Sequence, residues 1–357
     1  MPLIDLYGHD EIKALLKESV AGGKLPGSLL FHGAQGVGKQ RLALWLGQLL
    51  LCSNQDPPCG KCQGCEYAKT LTHPDLHWYF PIPRPKDADP ALADVVDDYQ
   101  EAIAERLGNG GLYAAPAGNE GIFVATVRAI VQQASLAPAM AARKVFVIGD
   151  AERMVPQEGS EQAANAFLKL LEEPSAKTTI IVTSSEPGAL LPTVRSRTVS
   201  IRVPPLDDNA MRSFLADPLA AAALDKAGAP KSTVERLSIA SGAPGILLAD
   251  EARGKAIRTA RRLIDAAVSP NESARYAALM GVGSSGARGA FSDTLDAILI
   301  LVGERMRAAL HESDEARALR ASRAADAVAR ARTQADGNVN PQLIAARLMR
   351  DLASSLA

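Results

Sequence analysis

The chain has 357 residues, 47% hydrophobic and 22% charged, with a formal net charge of -1. This allows two or three domains with a sizeable core and excludes a global electrostatic pull toward nucleic acid or membrane. No run of 18 or more apolar residues occurs, and Met1–Asp5 lacks the basic-then-apolar pattern of a secretory signal, so a cytoplasmic protein with no membrane partner is expected.

Residues 10–22 read as an amphipathic helix with Ile12, Leu15, Leu16 and Val20 on one face. Gly27-Ser28-Leu29-Leu30-Phe31-His32 is a short apolar run that reads as a buried strand. It leads into Gly33-Ala34-Gln35-Gly36-Val37-Gly38-Lys39 and a helix from about Gln40 to Leu51. The first seven residues of a phosphate-binding loop are present in strand–loop–helix context. Such glycines let backbone N–H groups wrap a phosphate, and the lysine reaches the outer phosphates. The eighth position calls for Ser or Thr to ligate Mg²⁺, and here it is Gln40. Its amide oxygen is neutral and sits further from the backbone. Two readings stay open: a loop kept only as a structural turn, or a site that binds ATP or ADP weakly through Gly33, Gly36, Val37, Gly38, Lys39, Gln40 and Asp150 without hydrolysing it.

All four cysteines lie at 52, 59, 62 and 65, a C-x6-C-x2-C-x2-C spacing. Four thiolates satisfy tetrahedral Zn²⁺ with no open position for chemistry, so Cys52, Cys59, Cys62 and Cys65 are expected to hold a structural zinc. A redox or disulfide role is the competing reading. His73 and His77 are read as ordinary loop residues.

Residues 81–90 hold four prolines and read as an extended linker, with helices over 91–107 and 122–135. Lys144-Val145-Phe146-Val147-Ile148 and Thr179-Ile180-Ile181-Val182-Thr183 read as buried strands, separated by a helix from Ala163 to Glu173 that Pro174 stops. Strands alternating with helices predict a parallel, doubly wound α/β sheet. After Val203-Pro204-Pro205 the strand patterns end, and helical patterns run from 206 to 250 and again from 251 onward. Three domains are expected, at 1–204, 205–250 and 251–357.

A phosphate loop, a four-cysteine insert and a second strand together resemble the bacterial clamp loader ATPases of the AAA+ class. Thr72-His73-Pro74-Asp75 resembles the delta-prime subunit rather than the gamma/tau motor subunit. Asn165-Ala166-Phe167-Leu168-Lys169-Leu170-Leu171-Glu172-Glu173-Pro174 is close to a signature of both. Ser196-Arg197-Thr198 matches the family's Ser-Arg-Cys motif with Thr for Cys, and Gly245 stands where motor subunits carry a sensor arginine. At the strand end the family carries Asp-Glu, whereas Ile148 is followed by Gly149-Asp150-Ala151. In either register the acidic pair is broken.

The resemblance implies an AAA+ domain with an inserted zinc module, a small helical lid and an all-helical collar. It also implies a hetero-pentamer with gamma/tau and delta subunits, acting on a sliding clamp and primed DNA. Arg197 would act in trans as an arginine finger on a neighbour's ATP, with a surface salt bridge as the plain alternative. The implied activity is that of a largely non-hydrolysing stator. An active gamma/tau-like ATPase and a DNA-binding zinc module with a vestigial loop are the other readings. Residues 82–121 are longer than the family's connection and have no assigned role.

Overall fold

The structure is a computed structural model that describes residues 2–85, 87, 90–116, 120–154, 161–174, 177–248, 251–282, 291–312, 314–336 and 339–356. The chain divides into two compact units, Met1–Leu248 and Ala249–Ala357.

In the first unit, α1 (Asp10–Ala21), β1 (Ser28–His32), α2 (Lys39–Leu51) and α3 (Gln63–Lys69) precede β2 (Leu76–Tyr79). Then follow β3 (Ile82–Pro83), α4 (Leu92–Gly108), β4 (Glu120–Gly121), α5 (Val124–Ser135) and β5 (Lys144–Ile148). After β5 come α6 (Glu161–Glu172), β6 (Thr178–Ser184), α7 (Pro192–Arg195) and β7 (Val199–Arg202). Five strands form one sheet in the order β2-β5-β6-β1-β7, and every adjacent pair is parallel. The expected parallel α/β core is therefore present. Its central strands are buried along their whole length, which is why they read as unbroken apolar runs.

α2 is buried almost throughout, from Lys39 to Leu51. Its burial explains why its sequence carries little polar surface. Ser28 Oγ donates to the Leu171 carbonyl at 2.7 Å, tying the end of α6 to β1. The segment between β2 and α5 is closed at its base by the antiparallel β3–β4 ladder, Ile82 against Gly121. Within it, α4 packs through Val95 and Tyr99, and the Tyr99 hydroxyl donates to the Phe80 carbonyl at 2.7 Å.

α8 (Asp208–Ala216), α9 (Pro218–Lys226) and α10 (Thr233–Ala240) then build a core of their own. Met211, Phe214, Leu224 and Leu247 meet there with Ile4 from the chain's start. The second unit is helical: α11 (Glu251–Val268), α12 (Glu272–Met280), α13 (Ser292–His311), α14 (Glu315–Asp336) and α15 (Pro341–Leu356). Alanines 321, 324, 327, 331 and 335 give α14 a narrow buried stripe, packed in a core with Leu295, Ile298, Leu348 and Leu352. Among the described residues, no helix is long and apolar enough to cross a membrane.

Candidate functional site

Residues 33–38 connect β1 to α2. Gly36 (φ 80°) and Gly38 (φ 96°) lie in the left-handed region that favours glycine, so the loop has its wrapped shape. Val37 between them is buried, and its carbonyl accepts a hydrogen bond from His9 Nε2 at 2.9 Å. The Lys39 ammonium turns back into the loop. It donates to the carbonyls of Gly33 (3.1 Å) and Ala34 (2.9 Å) and to Ser185 Oγ (2.9 Å). Burial lowers its pKa, while the charges of Asp150 and Glu152 raise it. At the loop's crest, the Gly245 N–H donates to the Gly36 carbonyl at 3.0 Å. Gly245 is thus in backbone contact with the loop.

Gln40 is buried in the first turn of α2. Its Nε2 donates to Asp150 Oδ2 at 2.9 Å, and its Oε1 accepts from the Trp78 indole N–H at 2.8 Å. Both ends of the amide are occupied. A Cβ added at Gly149 would run into the amide's carbon, oxygen and nitrogen together. A side chain at 149 would therefore have to displace the Gln40 amide from its bonds to Trp78 and Asp150.

Asp150 follows at φ 46°, and its N–H donates to Thr183 Oγ1 at 3.2 Å. Burial raises its pKa and Glu152 adds to the rise, while Lys39 and Arg106 pull it down. Glu152 Oε1 accepts from the Ser185 N–H at 2.9 Å, and its buried Oε2 makes no hydrogen bond among the described residues. Magnesium does not fit these groups. The residue after Lys39 offers no hydroxyl, the residue after β5 offers no side chain, and the next carboxylate already holds an amide. The sequence reading gathered Gly33, Gly36, Val37, Gly38, Lys39, Gln40 and Asp150, and the structure brings them together. It missed Trp78, Glu152 and Ser185, none of which lies in a recognisable motif.

Trp78 is in turn packed by the long segment before α5. Tyr113 meets its ring edge-on at 5.9 Å between centroids. The Arg106 guanidinium stands 4.9 Å from the Trp78 centroid, 3.8 Å from that of Tyr113 and 3.3 Å from that of Phe80. Burial lowers the Arg106 pKa to about 10, against the raising effect of Tyr113 and Asp150.

The four cysteine sulfurs lie within 4.8 Å of one another. Zinc–sulfur bonds of about 2.3 Å in a tetrahedron require sulfurs about 3.8 Å apart, and Cys52 and Cys62 stand 3.8 Å apart. Backbone N–H groups of Cys59 and Cys62 each point at a sulfur at 3.4 Å, that of Cys52 and that of Cys59 respectively. The donor set fits Zn²⁺. Cys52 closes α2, and Cys62 and Cys65 bracket the start of α3, so helix ends fix three of the four.

His73 lies in the loop before β2, as expected, whereas His77 does not lie in a loop. His77 lies in β2, stacked on Phe146 at 4.6 Å, and burial lowers its pKa to about 4. His73 is buried, and its Nδ1 accepts from the Asp75 N–H at 3.0 Å. Asp75 itself accepts from the N–H groups of Ala139 (2.6 Å), Met140 (2.8 Å) and Ala141 (2.7 Å), clamping the approach to β5.

Arg197 stands apart from the loop cluster. Its Nε pairs with Glu172 Oε2 at 3.0 Å, and Nη1 donates to the Thr193 carbonyl at 3.1 Å. Its side chain is 28% exposed, so the group is reachable from outside.

Residues 8–207 match a family model described as DNA polymerase III, delta subunit. The DNA polymerase III subunit delta' of Pseudomonas aeruginosa is 31% identical over 236 residues, covering 65% of this chain and 57% of that protein. The corresponding subunit of Bacillus subtilis is 26% identical over 205 residues, covering 57% of this chain and 50% of its own. The gamma/tau subunit of Mycobacterium bovis is 28% identical over 215 residues, 59% of this chain and 30% of that protein. The chain spans about half the length of the curated delta' relatives it matches.

Proposed function

We propose a function from one premise: the chain belongs to the family of DNA polymerase III, delta subunit, a clamp loader subunit related to delta' and gamma/tau. It acts as the delta-prime-type stator of an AAA+ clamp loader, assembled in a hetero-pentamer with gamma/tau and delta subunits. It donates chemistry to a neighbour and performs no hydrolysis of its own. The observation that carries this reading is the locked Gln40 amide, held by Trp78 and Asp150 with Gly149 against it. Phosphoryl transfer depends on positioned charge around the phosphates, and here the groups that would position a metal are bonded to each other. ATP or ADP, where the loop takes one, is held without turnover.

Arg197 serves in trans as an arginine finger. A guanidinium keeps its charge and spreads over phosphate oxygens. Glu172 and Thr193 hold the side chain at the surface until a neighbour's ATP replaces them. Cys52, Cys59, Cys62 and Cys65 hold a structural zinc. The helical second unit is the collar, residues 205–250 are the lid, and the assembly places a sliding clamp on primed DNA in the cytoplasm.

The test is reconstitution with gamma/tau and delta subunits. Arg197→Ala is expected to slow ATP turnover and clamp loading, since such fingers are worth about 10³–10⁵ in rate, while Lys39→Ala changes them little. Normal loading by Arg197→Ala removes the finger. Loading that depends on Lys39 favours the motor-type reading, which the gamma/tau similarity keeps alive.

A further inference from the structure

Residues 92–113 lie between β3 and β4, in the stretch that the family resemblance leaves without a role. The end of this segment touches two bodies at once: the edge of the parallel sheet and the helical group α8–α10. On the sheet side, the Arg106 guanidinium stands 3.3 Å from the Phe80 ring centroid, 3.8 Å from that of Tyr113 and 4.9 Å from that of Trp78. Trp78 lies in the edge strand β2, and Phe80 follows that strand directly. A guanidinium suits such rings because its flat face is weakly hydrated. Tyr99 of α4 adds its hydroxyl bond to the Phe80 carbonyl.

On the helical side, Leu112 packs against the core shared by α8, α9 and α10. Lys226 Nζ, on α9, donates to Asn109 Oδ1 at 2.9 Å. The Gly110 carbonyl accepts from the N–H of Ile4 at 2.9 Å, and Ile4 is itself buried in that core. A closed turn joins the two sides. The Gly111 N–H donates to the Arg106 carbonyl at 2.8 Å, and the Leu112 N–H donates to the Asn109 carbonyl at 3.1 Å. Gly110 and Gly111 permit the turn, with φ of 65° and 83°. Such a turn cannot lengthen without losing its hydrogen bonds. A shift of α8–α10 against the sheet would therefore pull Leu112 from its core or Arg106 from its rings. The phosphate loop makes a separate contact with the same group, from the Gly245 N–H to the Gly36 carbonyl.

We infer that the segment 92–113 is a brace: its turn fixes α8–α10 against the α/β sheet, so that these helices keep one orientation whether or not the phosphate loop holds a nucleotide. Relative motion is the default for substructures that share a modest interface, and lid movement serves turnover. The inference rests on the stator reading, in which there is no turnover to serve. It gives the added length of chain a task, which is to remove that freedom.

The test is a distance measurement on the full-length, zinc-loaded chain. Spin labels carried by unnatural residues are placed at exposed Ala222 on α9 and exposed Gln132 on α5, with Glu11 on α1 and Gln132 as the control pair. The wild-type distance between α9 and α5 is expected to be narrowly distributed and unchanged by ATP with Mg²⁺. Leu112→Asp is expected to broaden or shift it while the control pair keeps its distance. If Leu112→Asp does not fold, Leu112→Ala takes its place. A variant distribution equal to that of the wild type overturns the brace, and so does a wild-type distance that moves with nucleotide. ATP turnover in the same samples separates the two ideas. Turnover by the wild type sinks the stator, whereas an unmoved distance in the variant, without turnover, sinks only the brace.

Discussion

One helix joins four converging sulfurs to a loop whose polar side chains are already bonded to one another. α2 begins at Lys39 and Gln40 in the phosphate loop and ends at Leu51, next to Cys52. At 1.5 Å per residue the two ends are about 20 Å apart. At one end, four sulfurs converge within 4.8 Å. At the other, the motif's overall shape survives, but its polar groups bond to one another: Lys39 to loop carbonyls, Gln40 to Trp78 and Asp150. A metal site is thus defined by donors left available around a vacancy of the right size, and a loop with the right backbone does not supply one.

The contrast can be broken hardest at the cysteine end. Structural zinc contributes about 10–16 kcal/mol of apparent binding free energy in small zinc-finger peptides. Elemental analysis should find one zinc per chain, and Cys65→Ser should lose it along with the order of residues 52–69. A zinc-free chain with unchanged Tm would remove the structural role of the cysteines.

At the other end, Gly149→Asp restores the acidic residue that a metal-using strand end carries. Here it should destabilise by about 3–5 kcal/mol, through overlap with Gln40 and a buried unpaired charge. Combining it with Gln40→Ser, which vacates the space, should recover part of the loss in denaturant unfolding. A stable, well-behaved Gly149→Asp single variant would mean that the amide does not fill the pocket.

The strand between the two sites provides a smaller effect. Burial holds His77 neutral, with its pKa lowered to about 4 in the folded chain, against an ordinary value of about 6.5. A depressed folded-state pKa stabilises above the unfolded value and is lost as pH falls. The wild type should therefore lose roughly 2–3 kcal/mol more than His77→Phe between pH 6.5 and 4. Phe suits the stack on Phe146, so the variant should match the wild type at pH 7. Equal acid sensitivity of the two chains would place the titrating group elsewhere.

What the sequence made legible follows from distance along the chain. The four cysteines fall within fourteen residues, and β1, β5 and β6 are unbroken apolar runs, so local pattern sufficed. β2 was hidden because it is a four-residue edge strand, paired only with β5, in which His77 breaks the apolar run. β7 was hidden because Val199, Ser200 and Arg202 are largely exposed at the sheet's edge. The state of Gln40 was out of reach altogether. A substitution at the metal position was visible, but its partners Trp78 and Asp150 lie 38 and 110 residues away. Arg106 carries no signal of its own within the helix expected over 91–107. Only the fold places its guanidinium over the Trp78, Phe80 and Tyr113 rings.

The central claim is that the phosphate-loop pocket cannot run its own chemistry. Steady-state ATP turnover by the purified, zinc-loaded chain with Mg²⁺ tests it most directly, with Lys39→Ala in parallel. The account predicts that the two rates are indistinguishable and close to the buffer blank. A wild-type rate well above the blank that vanishes in Lys39→Ala would contradict it.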